Sequence, residues 1–235
     1  MDERKVVDEE ISYLFLDRIL SEWKISKDLS AQIVNAASLG FQIEYIAVQG
    51  RRLVDTLMEY VNQHNPQLIV IGTHGRTALN QLLERSYAET LFRRISTPSL
   101  FISPRARGFV HPTSGEVKFR RVLIPVDHAP APEQAIHAAR EFGRLLIGEE
   151  PRIQFVHIGH TEKIVDVRVI EPRFILRPGY DPVKGIMGVA AELIPDLICM
   201  TTAGHQGLLD ALRGSTTQRV LRAAPCPVLT ITAEE

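Results

Sequence analysis

The chain repeats itself once, and the second copy follows the first at a spacing of 129 residues. The two copies align without gaps from an apolar run at 43–48 to the last apolar run of the chain. Identical residues at this spacing include Gly50 and Gly179, Met58 and Met187, Pro66 and Pro195, Gly75 and Gly204, and Pro98 and Pro227. A gapless series of this kind indicates a duplicated structural unit.

Each copy shows the same order of apolar runs and helix-period segments, which predicts β-α-β-α-β. In the first copy, Leu53, Leu57 and Val61 recur every four residues and predict a helix that ends near Pro66. The second copy predicts the equivalent helix from about Pro182. The predicted strands are 43–48, 68–72 and 99–103 in the first copy, and 173–177, 197–201 and 228–232 in the second. Alternating strands and helices predict a parallel sheet.

The second copy also has a front half, RRVLIPVD at 120–127, then a helix with Ala135 and Ala139 on its apolar face, and a strand at 153–158. In the first copy the strand equivalent to 120–127 would lie before residue 1, unless the two copies differ in loop length. Residues 1–40 look mostly helical, although 12–16 fits a short strand equally well. We therefore expect something else, either residues 1–40 or another subunit, to cover the exposed sheet edge of the first copy.

These patterns divide the chain into an incomplete repeat at 1–104, a linker at 105–117 and a complete repeat at 118–235. The linker is rich in proline, glycine and charge and has no apolar period.

Charge and composition exclude several classes of protein. The 27 basic and 28 acidic residues leave a net charge of -1, so neither a nucleic acid nor an anionic membrane is an expected partner. No apolar run reaches the roughly 20 residues needed to cross a bilayer, and the residues after Met1 do not resemble a signal peptide. We expect a cytoplasmic protein. Cys199 and Cys226 lie in apolar runs, which predicts buried, reduced thiols.

Three segments resemble the universal stress protein family: IVIGTHGRTALNQLLERS at 69–86, RRVLIPVD at 120–127, and MTTAGHQGLLDALRGSTTQRVLRAAPCPVLTI at 200–231. The resemblance implies an α/β fold in two repeats, each a doubly wound, Rossmann-like parallel sheet of strand order 3-2-1-4-5. The first repeat would lack strands 1 and 2. It also implies an internal pseudo-dimer in which the two closing strands pair, and a homodimer of such chains.

The nucleotide-binding branch of that family carries G-x2-G-x9-G-[ST], and the second copy reads Thr201-x2-Gly204-x9-Gly214-Ser215. Glycines after a strand let backbone N–H groups approach phosphate oxygens, and a helix that begins there attracts anions. By resemblance, Asp127 would contact adenosine, and the backbone of Ile158 would contact adenine. Gly204, Gly214 and Ser215 would hold the phosphates of ATP, with Mg²⁺ as the accompanying ion. Thr201 replaces the first glycine, and its branched Cβ narrows the approach.

The first copy reads Gly72-x2-Gly75-x9-Arg85-Ser86 and has no strand to supply the acidic residue, so it is not expected to bind nucleotide alone. Simpler interpretations remain open for the second copy. Its glycines would then only form a loop, Ser215 would only cap a helix, and Asp127 would only cap a turn.

Two histidine motifs are interpreted without a catalytic role. Residues 157–160 spell HIGH, but they end the second strand of the repeat, whereas the adenylyl-transfer motif follows the first. His157 and His160 lack a third metal ligand, and we interpret them as part of a solvated loop. His74 has no counterpart in the second copy, where Ala203 stands. We therefore expect a stress-response regulatory protein rather than an enzyme, with a ligand-free interaction scaffold or a slow nucleotidase as the alternatives.

Overall fold

The computed structural model describes residues 53–72, 97–127, 129–159, 174–202 and 216–233. The predictions for 1–40 and 43–48 lie outside these ranges, as do those for Gly75, Arg85, Ser86, Gly204, Gly214 and Ser215. The chain folds as two compact units, residues 1–57 with 110–118, and residues 58–109 with 119–235. The seven strands found in the described residues all belong to the second unit.

The helices and strands follow the predicted order. The helices of the described residues are α1 (Leu53–His64), α2 (Glu133–Ile147), α3 (Pro182–Leu193) and α4 (Thr216–Ala223). The strands are β1 (Ile69–Gly72), β2 (Ser99–Ile102), β3 (Arg121–Pro125), β4 (Arg152–Ile158), β5 (Phe174–Arg177), β6 (Leu197–Thr202) and β7 (Val228–Thr232). For these seven strands the predicted bounds agree with the observed ones within two residues.

The strands form one sheet in the order β1-β2-β7-β6-β3-β4-β5. All neighbouring strands are parallel except β2 and β7. Within the second repeat, the order β5-β4-β3-β6-β7 is the 3-2-1-4-5 arrangement, so the predicted fold is confirmed. The strand order reverses between β3 and β6. After β3 the chain adds β4 and β5 on one side of that strand, and it then returns to form β6 on the other side.

Helices α1 and α3 are equivalent in the two repeats and end in the same way. The bounds of α1 and α3 differ by the repeat spacing at both ends. Asn65 and Ile194 follow these helices at φ values of 44° and 49°, and each donates its N–H to the carbonyl four residues back at 2.9 Å. Asparagine tolerates this left-handed conformation, whereas a β-branched isoleucine is strained in it. The helix end is therefore set by the duplicated fold and not by the residue at that position.

The centre of the sheet is buried on both faces. In β3 the side chains of Val122, Leu123 and Ile124 are inaccessible to solvent. Helix α2 packs on β3, β6 and β7, while α3 packs on β4 and on α4. Strands covered on both faces read as uninterrupted apolar runs, which is why the sequence pattern predicted them.

The segment between the repeats is anchored where it belongs to the second unit. The backbone N–H of Arg107 donates to the carbonyl of Pro225 at 2.7 Å. The ring of Phe109 makes edge contacts with Phe119 and Phe142, at centroid distances of 5.3 and 6.0 Å. In the first unit, residues 110–118 form a turn of their own, closed by an antiparallel bridge between Val110 and Val117.

Both cysteines are buried and unpaired, as predicted. Burial raises the pKa of the Cys199 thiol and raises the pKa of Cys226 to about 12. Both therefore remain protonated near neutral pH and are poor nucleophiles. In the part of the chain that the structure describes, no helix is both long and apolar enough to span a bilayer.

Candidate functional site

Three of the predicted site residues lie at one edge of the sheet. Asp127 follows the end of β3 by two residues, Ile158 is the last residue of β4, and Thr201 is the next to last of β6. Because β3 is parallel to both β4 and β6, the carboxyl ends of all three strands share this edge. Gly204, Gly214 and Ser215 lie outside the described residues, in the segment that joins β6 to α4.

The position of Asp127 is the point where ligands bind in doubly wound sheets. Crevices open outside the carboxyl ends of two neighbouring strands whose connections leave in opposite directions. Strands β3 and β6 are such a pair, with Val122 opposite Leu197 and Leu123 opposite Ile198. When this pairing register is continued towards the carboxyl ends of β3 and β6, Asp127 is level with Thr202. Thr202 precedes Gly204 by two residues in the sequence.

Asp127 presents its carboxylate to solvent. Its side chain is 68% exposed, and one oxygen, Oδ1, lies 3.9 Å from Nδ1 of His157. An exposed carboxylate at the end of a buried strand can accept hydrogen bonds from a hydroxylated ligand.

His157 is buried in β4, with its side chain 8% exposed, so the interpretation of this histidine as part of a solvated loop is wrong. Its Nδ1 lies 3.0 Å from the carbonyl oxygen of Val126. A carbonyl can only accept, so Nδ1 carries the proton and donates. The available sequence signal was that His157 continues the apolar run of β4. His160 lies outside the described residues, within which no group of three potential ligands is placed to hold a metal ion.

The end of β4 lies close to the first turn of α3. A Cβ on Gly185 would come within 2.5 Å of Cδ1 of Ile158, so the approach requires a glycine at this position. Gly179, before the helix, is also near, since a Cβ there would meet Cγ2 of Ile158 at 3.4 Å. Sequence reasoning singled out Ile158 but missed Gly185, because the two residues meet only in the folded sheet.

The N-terminus of α3 is capped and tied to α4. The carboxylate of Asp181 accepts hydrogen bonds from the backbone N–H groups of Val183 and Lys184, at 3.1 and 3.3 Å. Arg219 of α4 donates to both oxygens of this carboxylate, at 3.0 and 2.9 Å. The hydrogen bond from Arg219 is the main reason why the pKa of Asp181 lies below its usual value. The two helices that flank the candidate edge are thus joined beside it.

Thr201 carries a buried hydroxyl whose Oγ1 has no hydrogen-bond partner among the described residues. Two residues earlier on the same face of β6, Sγ of Cys199 donates to the carbonyl of Ala135 in α2, at 3.3 Å. Thr201 therefore faces the side of the sheet that α2 covers. A buried hydroxyl without a partner costs about 1–3 kcal/mol, so a ligand that bonded to Thr201 would recover part of that cost.

Comparison with known families decides which proteins this chain resembles. The model of the Universal stress protein family matches residues 5–103 and 162–232, which is more than half of the chain. The chain belongs to the universal stress protein family. In this universal stress protein the first matched segment begins well before the predicted strand at 43–48, and the second begins after β4.

Two solved structures have a similar fold. A universal stress protein from Archaeoglobus fulgidus DSM 4304 is 21% identical with a TM-score of 0.58, and the match covers 77% of this chain and 66% of that one. A functionally unknown protein from Pseudomonas aeruginosa PAO1 is 17% identical with a TM-score of 0.52, and the match covers 77% of this chain and 68% of that one. The present universal stress protein thus spans about two thirds of the length of each. No curated protein matches this chain.

Proposed function

We propose that the second repeat of this universal stress protein binds ATP at the carboxyl edge between β3 and β6, and that binding serves regulation rather than catalysis. One observation carries the proposal. The exposed carboxylate of Asp127 lies at the point where the strand order reverses, level with the end of β6. The segment that continues β6 contains Gly204, Gly214 and Ser215 and leads directly into α4.

The proposed roles follow from the chemistry of each position. Asp127 accepts hydrogen bonds from the ribose hydroxyls, and the backbone at Ile158 meets the adenine. The backbone N–H groups at Gly204 and Gly214 and the hydroxyl of Ser215 hold the phosphates. The first turn of α4 contains no acidic residue, so the positive end of its dipole is available to an anion. Mg²⁺ would be held mainly by the phosphates and water, as is usual for this ion.

The described residues fit such a ligand at Thr201. Its buried hydroxyl lacks a partner in this part of the chain, whereas the neighbouring Thr202 donates to the carbonyl of Ile231 at 3.2 Å. A phosphate or ribose oxygen near the end of β6 would complete the hydrogen bonding of Thr201. The threonine that replaces the first glycine is therefore proposed as a contact rather than an obstacle.

Isothermal titration with Mg-ATP tests the proposal. We expect Asp127→Ala to weaken binding at least tenfold, because a hydrogen bond to a charged group contributes about 1.5–3 kcal/mol and a factor of ten is about 1.4 kcal/mol. The control is Glu149→Ala, an exposed carboxylate in the loop between α2 and β4, at the opposite edge of the sheet. The absence of heat at millimolar ATP, or an equal loss in both variants, would contradict the proposal.

The alternative is a dimerisation and interaction scaffold that binds no nucleotide. The pairing of β2 with β7, which joins the closing strands of the two repeats, is compatible with this alternative as well as with nucleotide binding. Under either alternative we propose that the repeats form an internal pseudo-dimer, that the protein acts in the cytoplasm, and that copies of the chain form a homodimer. Release of phosphate from ATP over hours would instead indicate a slow nucleotidase.

A further inference from the structure

We infer that His157 is a positioning residue of the nucleotide site, which holds the backbone beside Asp127 so that the carboxylate faces the ribose. The inference rests on the proposed function. It concerns a buried side chain that has no place in the glycine pattern of the family and that lies next to the one acidic residue assigned to the ligand.

Both backbone polar groups of Val126 are hydrogen-bonded to residues of β4. Its N–H donates to the carbonyl of Val156 at 2.9 Å, and its own carbonyl accepts from Nδ1 of His157 at 3.0 Å. Strand β3 ends at Pro125. The histidine ring therefore extends the ordered backbone one residue beyond the strand, as far as the residue before Asp127.

The consequence for Asp127 is preorganisation. A mostly exposed residue just beyond a strand end would otherwise sample several backbone conformations, and a ligand would have to select one of them. With Val126 held at both its N–H and its carbonyl, the backbone that leads into Asp127 has a fixed direction. Nδ1 of the ring also lies 3.9 Å from Oδ1 of Asp127, so the partial positive charge of its N–H group is close to the carboxylate.

The chain makes room for the ring. A Cβ on Gly159 would lie 2.7 Å from Nε2 of His157, so the residue after Ile158 leaves space beside the imidazole. Only the Nδ1 side of the ring performs the proposed task. An asparagine can place an amide N–H near the Nδ1 position, whereas a leucine of similar bulk has no donor.

Two variants separate positioning from stability. We expect His157→Leu to raise the Kd for Mg-ATP about tenfold and His157→Asn to change it less than threefold, in samples shown to be folded by circular dichroism. Thermal unfolding of both variants measures the structural contribution separately. If His157 only fills the core, both variants lose stability while the folded protein keeps its affinity, and that result would overturn the inference.

The tautomer of His157 provides a test that requires no ligand. Nitrogen chemical shifts of the neutral ring should show the proton on Nδ1, and a proton on Nε2 alone would overturn the inference whatever the affinities. The two proposals fail differently. If the wild-type protein does not bind Mg-ATP, the proposed function fails and the positioning role with it. If it binds and His157→Leu binds equally well, only the positioning role fails.

Discussion

Leu100 and Leu229 lie directly opposite each other in the antiparallel pair of β2 and β7, and they are equivalent residues of the two repeats. The flanking residues are exchanged between the two strands. Ser99 is opposite Thr230, the equivalent of Phe101, and Phe101 is opposite Val228, the equivalent of Ser99. This exchange is what a two-fold axis between Leu100 and Leu229 would produce. The two repeats therefore pair through equivalent strands, which is the arrangement that the proposed internal pseudo-dimer requires.

Truncating the side chain of Leu229 should destabilise the sheet. Leu229 is 2% exposed, and we expect Leu229→Ala to lower the free energy of unfolding by about 2–5 kcal/mol, the usual cost of a leucine cavity. Leu145→Ala is the control, because that leucine is 79% exposed and should change stability by less than about 0.5 kcal/mol. Urea denaturation followed by circular dichroism measures both. Equal midpoints for the two variants would show that the Leu100–Leu229 contact does not stabilise the fold.

Two glycines in α3 should respond in opposite ways to the same substitution. We expect Gly188→Ala to stabilise the protein by about 0.5–1 kcal/mol through helix propensity, since nothing lies within 4 Å of the added methyl group. Gly185→Ala should destabilise it by about 1–3 kcal/mol, because its methyl group would overlap Ile158. Adding Ile158→Ala to Gly185→Ala should restore part of the loss. Thermal unfolding of the wild type, the two single glycine variants and the double variant measures these changes in stability. A gain in stability from Gly185→Ala would refute the close contact between Gly185 and Ile158.

Asp196 should be needed to join the start of β3 to the start of β6. Its Oδ2 accepts the backbone N–H groups of Arg120 and Arg121 at 2.8 and 2.9 Å. We expect Asp196→Ala to cost about 1–3 kcal/mol, since both N–H groups lose their acceptor. Asp196→Asn keeps one acceptor oxygen and should cost less. The urea midpoints of the two variants measure this difference in stability. Equal midpoints for Asp196→Ala and Asp196→Asn would contradict the prediction.

The ion pair between Asp181 and Arg219 should contribute stability in a pH-dependent way. The folded state lowers the pKa of Asp181 below its ordinary value, mainly through the hydrogen bond from Arg219. A lowered pKa adds stability above the unfolded value and loses it as the pH falls through the folded value. We therefore expect Arg219→Gln to be less stable than wild type at pH 7 and equal to it below the folded pKa.

Unfolding curves from neutral pH down to the acid limit of the folded protein measure this difference. Arg105→Gln is the control, since it removes the same charge from an exposed residue of the connecting segment. A difference between wild type and Arg219→Gln that stayed constant over the whole acid range would mean that Asp181 is not the group involved.

The sequence predicted elements whose signals are local. The recurrence of Leu53, Leu57 and Val61 predicted α1, and the apolar run at 197–201 predicted β6, because periodicity and burial of a segment depend on residues a few positions apart. His157 shows the limit of this reasoning. The absence of a third metal ligand favoured a solvated loop for His157, whereas Nδ1 of its buried ring lies 3.0 Å from the carbonyl oxygen of Val126, 31 residues earlier in the chain.

The sequence by itself determined the duplication, the βαβαβ order of the second repeat and, through its family resemblance, the order of strands in that repeat. The tertiary structure alone decided which atoms meet at the carboxyl edge. The Nδ1–H of His157 bonds to Val126, Ile158 packs over Gly185, and the hydroxyl of Thr201 is left without a partner among the described residues. The physical reason is that strand register and helix approach bring together residues far apart in the chain, and no local pattern of residue types records those distances.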